Sequence, residues 1–339
     1  MNHVAIDLGS RESQVCIRAA DGTILEEGKR PTKGLLQLMP AWPKSRVILE
    51  TSSEAFRIAD AALQAQHEVR VVPATLVKSL NVGARKIKTD RRDAQALSEA
   101  SCRIDLPSVH IPSAQSRELK SICGAREELV ETRTKLINNV RGWMRTQLWR
   151  IRSGGAASFH DRVRAHATDL ESTLPEHVER TLKVIEVVTM QLREADAQVR
   201  RFAKTNPTCI ALMTVPGVGP ITAIRFFAAI DDVTRFRSAH GVQSYLGLTP
   251  GERSSSERQH RTGITKAGAP ATRRMLVQSA WAALRRAPNE PMVRWAMKVA
   301  ERRGKLVAVV ALARKLAGIL FAIWRDGTTY RSERSAMTS

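Results

Sequence analysis

The apolar residues of this chain change their period once, near Pro112, and that change limits what it can fold into. Upstream, short apolar runs alternate with amphipathic stretches. Val4 to Asp7 reads as a strand ending in Leu8-Gly9-Ser10, and Gln14 to Arg18 and Thr23 to Lys29 read as two more, joined at an Asp21-Gly22 hairpin turn. Arg46 to Glu50 and Glu68 to Val72 are further strands, with helices predicted over Leu35 to Trp42, Ser53 to Gln66 and Thr89 to Cys102. Strands alternating with helices predict an α/β layer fold. Downstream, Ser116 to Ile151 and His177 to Phe202 predict two long amphipathic helices around a Gly154-Gly155 linker. Such a pair is either an antiparallel hairpin or the seam of a coiled-coil dimer. From Pro207 onward the chain reads as helical and basic. The fold class expected is α/β plus all-α, divided into residues 1–110, 111–206 and 207–330 with a tail at 331–339.

Charge follows the same division. The 339 residues hold 54 Lys and Arg against 33 Asp and Glu, a net charge of +21, while a 43% hydrophobic content is that of a chain that folds. Residues 1–110 hold 16 basic and 13 acidic side chains, whereas residues 111–339 hold 38 and 20. An excess concentrated in the later two thirds calls for a polyanionic partner, and nucleic acid is the commonest. No window reaches ~18 uninterrupted apolar residues, so no membrane span is expected. Met1-Asn2-His3 leads straight into a strand rather than a signal peptide, which predicts a cytoplasmic protein. Cys16, Cys102, Cys123 and Cys209 form no CxxC pair, so neither zinc nor a disulfide framework is indicated.

Four carboxylates stand out in the first third. Asp7 ends the first strand, Glu50 ends a later one, and Asp90 and Asp93 lie three apart at the start of a helix, where both project from one face. Brought together they make a set of hard oxygen ligands suited to Mg²⁺, and two such ions stabilise both oxygens of a phosphodiester displacement. Lys88, Arg91 and Arg92 beside them would hold a DNA backbone. Asp90 and Asp93 also suit plain helix capping, and Glu50 a similar use, whereas an acid inside an apolar first strand needs a cation. Asp-Leu-Gly-Ser before a hairpin also opens the sugar-kinase and actin-like ATPases, but the second phosphate turn of those folds is not found.

In the basic region, Val215-Pro216-Gly217-Val218-Gly219-Pro220 sets two glycines between apolar helical segments, the pattern of a helix-hairpin-helix whose backbone N–H groups meet phosphate. Ser254, Ser255 and Ser256 follow Pro250 in what reads as an exposed loop, flanked by Arg253, Arg258, Arg261 and Lys266. Taken alone, a solvated Ser/Arg loop accounts for them. Arg273, Arg274, Arg285 and Arg286 continue on helices with Trp281 and Trp295 nearby, an arrangement able to clamp a backbone and stack bases, although a helical Trp is more often core.

AIDLGS, the glutamate of VILETSS, KTDRRDA, VPGVGPITA and YLGLTP…SSS…RTGITKAG stand in the order seen in insertion-sequence transposases with a RuvC-like DEDD domain. The chain resembles this IS110 family, also called bridge recombinases, over nearly its whole length. The resemblance implies an RNase H/RuvC-like domain, with Asp7, Glu50, Asp90 and Asp93 as its Mg²⁺-binding tetrad. It implies a serine that attacks DNA and forms a covalent link. Family spacing maps that serine to Ser255, but Ser256 stands where glycine is usual, and spacing leaves Ser254, Ser255 and Ser256 open. It further implies a non-coding guide RNA, and a homodimer or homotetramer built on the long helices, in which one subunit's DEDD domain works with another's serine. The expected activity is therefore Mg²⁺-dependent strand cleavage and exchange on DNA. The alternatives are a RuvC-like hydrolytic junction nuclease and a non-catalytic nucleic-acid-binding protein.

Overall fold

Five strands answer the alternating pattern upstream of Pro112: β1 (Asn2–Asp7), β2 (Glu12–Arg18), β3 (Ile24–Pro31), β4 (Ser45–Glu50) and β5 (Glu68–Val72). The computed structural model describes residues 1–79, 89–255 and 258–332, with backbone alone at 77–79, 253–255 and 258–261. It divides into two compact units, Met1–Pro112 and Ser113–Ser339. In the first, the strand order is β3-β2-β1-β4-β5. β1, β2 and β3 form an antiparallel meander, and β4 and β5 extend it in parallel with β1. Helices α1 (Leu35–Leu38), α2 (Ala55–Gln64), α3 (Ala74–Ser79) and α4 (Asp90–Arg103) accompany the sheet. Because strand side chains alternate, the sheet builds a core on each face. Val4, Ile6, Val47 and Leu49 pack with Leu35 of α1 and Ile58 and Ala62 of α2, whereas Ala5, Ile48 and Val72 pack with Leu97 of α4. The helix predicted over Leu35 to Trp42 is shorter than expected. α1 gives way to a 3₁₀ turn at Met39–Ala41, since Pro40 has no N–H to continue the α-helical ladder.

The second unit contains α5 (Ala114–Thr146), α6 (Phe159–Asp169), α7 (Glu176–Thr205), α8 (Pro207–Leu212), α9 (Pro220–Ile230), α10 (Ala239–Tyr245), β6 (Pro250–Ser255), β7 (Arg258–Ile264), α11 (Pro270–Arg286), α12 (Pro291–Arg303) and α13 (Lys305–Asp326). Of the two readings of the long helices, the hairpin is the one built within the chain. At one end of the pair, Ile137, Val140 and Met144 of α5 meet Leu182 and Ile185 of α7 around Phe159 and Val163 of α6. At the other end, Leu119, Cys123, Val199 and Ala203 enter the main core of the unit. Between them, Arg126 Nε donates to Asp196 Oδ1 at 2.5 Å. The centre of the unit is α13. By length and composition this is the one described helix that could cross a membrane, once a window tolerates Arg314 and Lys315. Its Leu312, Ala313, Leu316, Ala317 and Leu320 are instead fully buried among the other helices, which accounts for the apolar run.

The serine segment differs from the loop expected. β6 and β7 form an antiparallel hairpin, pairing Pro250 with Ile264, Glu252 with Arg261, Arg253 with His260, Ser254 with Gln259 and Ser255 with Arg258. A strand of Gly, Glu, Arg and Ser has no apolar alternation to announce it. The pairing is fixed at its base instead. There the turn at Tyr245–Thr249 and the segment Thr265–Ala269 interlock: Thr265 N–H donates to Thr249 O at 2.9 Å and Lys266 N–H to Gly247 O at 3.2 Å.

Candidate active site

The register of the sheet decides where the acids emerge. Ala5 pairs with Ile48 and Ile6 with Leu49 across parallel neighbours β1 and β4, so Asp7 and Glu50, the next residues, end the two strands side by side. Both continue the phase of Ala5 and Ile48, and so belong to the face that carries α4. The turn after Asp7 is tight, since a Cβ on Gly9 would meet Glu12 O at 2.3 Å, and Thr32 Oγ1 donates to Gly9 O at 2.7 Å. After Glu50, Thr51 N–H donates to Val72 O and Thr51 Oγ1 accepts from Ala74 N–H. Both strand ends are thereby fixed.

α4 runs opposite to β1 across this face. Ser101 Oγ lies 2.8 Å from His3 Nδ1, and Ser98 Oγ lies 3.3 Å from the Sγ of Cys16, the cross-strand partner of Ala5. Arg18 clamps the helix from β2, its Nε donating to Ser98 Oγ at 3.1 Å. With Ser101 over His3, the first turn of α4 lies at the end where Asp7 and Glu50 emerge. Thr89 caps that turn, its hydroxyl accepting from Arg92 N–H, and places two carboxylates at the helix N-terminus. They differ in setting: Asp93 is 6% exposed, while Asp90, on the same turn, faces solvent. Asp7, Glu50 and Asp93 thus converge on one end of the sheet from three elements. Among the described residues, no three His, Cys, Asp or Glu side chains are already close enough together to hold a metal ion. Arg91 is committed within the unit, its guanidinium on Glu27 at 2.7 Å. Arg92 is exposed, and Lys88 lies outside the described residues.

In the second unit the residues predicted to hold nucleic acid separate by role. Gly217 has φ +88°, and a Cβ there would meet Ser279 O at 2.4 Å and Ala283 N at 2.8 Å. Its lack of a side chain serves the packing of the turn on α11, which a phosphate contact does not require. Gly219 has open space around its Cβ position and starts α9, which no side chain caps. Arg273 is spent on structure, donating to Leu246 O at 3.0 Å and Ala267 O at 2.9 Å. Arg274 ties α11 to α5 through Glu127 and Glu131. Both guanidinia thus serve the packing of the unit. Lys266 is exposed, with an unusual φ of +57°. Arg253 and Ser255 stand on β6 and Arg258 and Arg261 on β7 by backbone position, and Ser256 lies outside the described residues. Sequence reasoning missed Met275 and Gln278, which line a groove with Gly219, Arg285 and Arg286. Their spacing along α11 was a readable signal, but a face mixing Met, Gln, Ala and Arg resembles an ordinary helix edge.

The first unit carries acids at its strand ends and the second a basic, serine-bearing hairpin, and comparisons with known proteins identify the kind of protein. Residues 4–147 match the sequence model of a DEDD transposase domain, a type that depends on divalent metal, and residues 209–295 match one described as "Transposase IS116/IS110/IS902 family". The "Probable family 20 transposase" of Pseudomonas aeruginosa is 31% identical over 85% of this chain and 86% of its own length. The transposase for insertion sequence element IS1111A of Coxiella burnetii is 29% identical over 77% of this chain and 73% of its own. That for element IS1328 of Yersinia enterocolitica is 24% identical over 96% and 98%. The chain belongs to the IS110/IS116/IS902 family of insertion-sequence transposases. It is a DNA-binding enzyme of DNA recombination.

Proposed function

We propose that this transposase is a Mg²⁺-dependent recombinase in which Asp7, Glu50, Asp90 and Asp93 hold the metal and Ser255 is the nucleophile. The observation that carries the metal site is the register placing Asp7 and Glu50 side by side beneath the first turn of α4. Carboxylate oxygens on two strand ends and a capped helix turn are a hard donor set, which fits Mg²⁺. Bound there, the ion would polarise the scissile phosphate and offset charge developing on its oxygens. Strand order β3-β2-β1-β4-β5, a meander extended by parallel strands, supports an RNase H/RuvC-like reading of residues 1–110. Residues 111–206 would serve oligomerisation as a homodimer or homotetramer, and residues 207–330 would grip nucleic acid, including a helix-hairpin-helix at α8–α9. The hydroxyl of Ser255 attacks phosphorus and displaces a 3′ hydroxyl, and the covalent phosphoserine conserves the bond energy for rejoining without ATP. A guide RNA would choose the sites, and the surplus of basic residues in the second unit supports a polyanion load of that size. The protein would act in the cytoplasm without a membrane.

The test is a denaturing gel after incubation of the protein with its element's RNA, nicked target DNA and Mg²⁺. A protein–DNA adduct is expected that is lost in Ser255→Ala and kept in Ser256→Ala. Cleavage that survives Ser255→Ala would instead identify a hydrolytic nuclease, and activity unchanged in Asp7→Ala would remove the metal site.

A further inference from the structure

In the second unit a groove of about 810 Å³ lies where α9 begins against α11. It is an open groove rather than an enclosed pocket. Its floor is apolar, with Ile221, Met275 and Trp281, and its rim carries Gln278, Arg285 and Arg286 with no acidic side chain among the lining residues. The walls are set before any ligand arrives. Thr222 Oγ1 and Ser279 Oγ are hydrogen-bonded at 2.9 Å, and Gly217 brings the α8–α9 turn onto the α11 backbone. Lys305, which lines the neighbouring cavity and not this one, sits 5.3 Å from the centre of the Trp281 ring and holds it from that side.

We propose that this groove binds single-stranded DNA, seating an unpaired base on Trp281 and Met275 and its phosphate on Arg285 and Arg286. The inference rests on the reading of the chain as a DNA recombinase and goes beyond the sequence-independent backbone contact of a helix-hairpin-helix. A duplex keeps its bases stacked inside and presents phosphates only, which would satisfy the arginine rim and leave the floor empty. A base released from the stack offers the apolar face that the floor matches, and aromatic stacking of this kind tolerates any base. The cationic rim disfavours a cationic ligand, and the N–H groups of the uncapped first turn of α9 add to the anion-binding end of the groove. Strand exchange needs bases unpaired while ends are transferred, and a site of this chemistry keeps one strand from re-annealing.

The full chain is irradiated with a DNA single strand carrying 4-thiothymine, with the same strand annealed to its complement, and with both in the presence of an RNA strand of equal sequence. Adducts are mapped by mass spectrometry. Cross-links on the tryptic peptide Met275–Arg285 are expected from the single strand and not from the duplex. The Arg285→Ala/Arg286→Ala variant is expected to bind the strand roughly tenfold more weakly, and to lose affinity for the duplex, which meets the rim alone, by a smaller factor. Equal cross-linking by duplex, no cross-link on that peptide, strand affinity unchanged in the double variant, or RNA displacing the DNA at lower concentration would each overturn the assignment. Ser255→Ala separates the two readings: cross-links that persist there, when the covalent adduct is absent from parent and variant alike, remove the recombinase mechanism and leave the groove.

Discussion

Gly247 and Gly268 are the positions where the backbone of the second unit has least room. Both adopt left-handed φ, +67° and +72°, and a Cβ would meet Ala267 O at 2.2 Å and Tyr245 O at 1.9 Å. Gly247→Ala and Gly268→Ala should each cost at least about 2 kcal/mol in urea denaturation, against less than about 1 kcal/mol for Gly219→Ala, where the space is open. His3 supplies a pH dependence. Burial first, then the neighbouring Arg46, holds its imidazole below the ordinary 6.5. The unfolded chain therefore takes up that proton more readily than the folded one. Stability is full above about pH 6.5 and declines as pH falls through and below that value. His3→Gln should make the urea midpoint less sensitive to pH in that range. At this scale the places of Asp7 and Glu50 at strand ends were legible because the apolar runs before them show where each strand stops. Arg273 was not, because its partners Leu246 O and Ala267 O lie on loops that only tertiary folding brings to α11.

Among elements, the hairpin of α5 and α7 carries charge inside its seam. Arg126 is paired with Asp196, and Arg133, whose Nε is buried without a hydrogen bond, has its pKa lowered first by burial and raised in part by the same Asp196. Asp196→Ala leaves the guanidinia of Arg126 and Arg133, two turns apart on α5, without the α7 carboxylate that offsets their charge across the seam. A loss of about 1–3 kcal/mol in thermal or chemical unfolding is expected, part of it recovered in Arg126→Met/Asp196→Ala. The long helices were legible to within a few residues because their apolar period is sustained. α6 was not, since Phe159, Val163 and Ala167 are all that mark its inner face in a charged segment. The β6–β7 hairpin was hidden for a different reason: strand signals come from alternating burial, and this strand pair has a polar sequence anchored from outside by the glycine interlock.

For the whole molecule, the unequal charge of the two units sets how it answers to salt. Affinity for DNA should fall by roughly 10³-fold or more between about 50 and 200 mM salt, as it does for proteins neutralising many phosphates, and a flat response would contradict the polyanion reading of the basic unit. Thiol accessibility offers a second global probe. Burial pushes the Cys209 thiol up to about 12 and raises that of Cys123, and Cys16 is fully buried, whereas Cys102 is partly open. Native protein treated with iodoacetamide near pH 8 should be alkylated at Cys102 first, with the other three reacting only on the timescale of unfolding. The interlocked turns beneath the hairpin have one more implication. Because register is set where the two backbones cross at Gly247 and Gly268, the segment between Pro250 and Ile264 behaves as an interchangeable cassette. Hairpins of different length or sequence could be exchanged among relatives with the scaffold unaltered, so this segment is free to diversify faster than the fold that carries it.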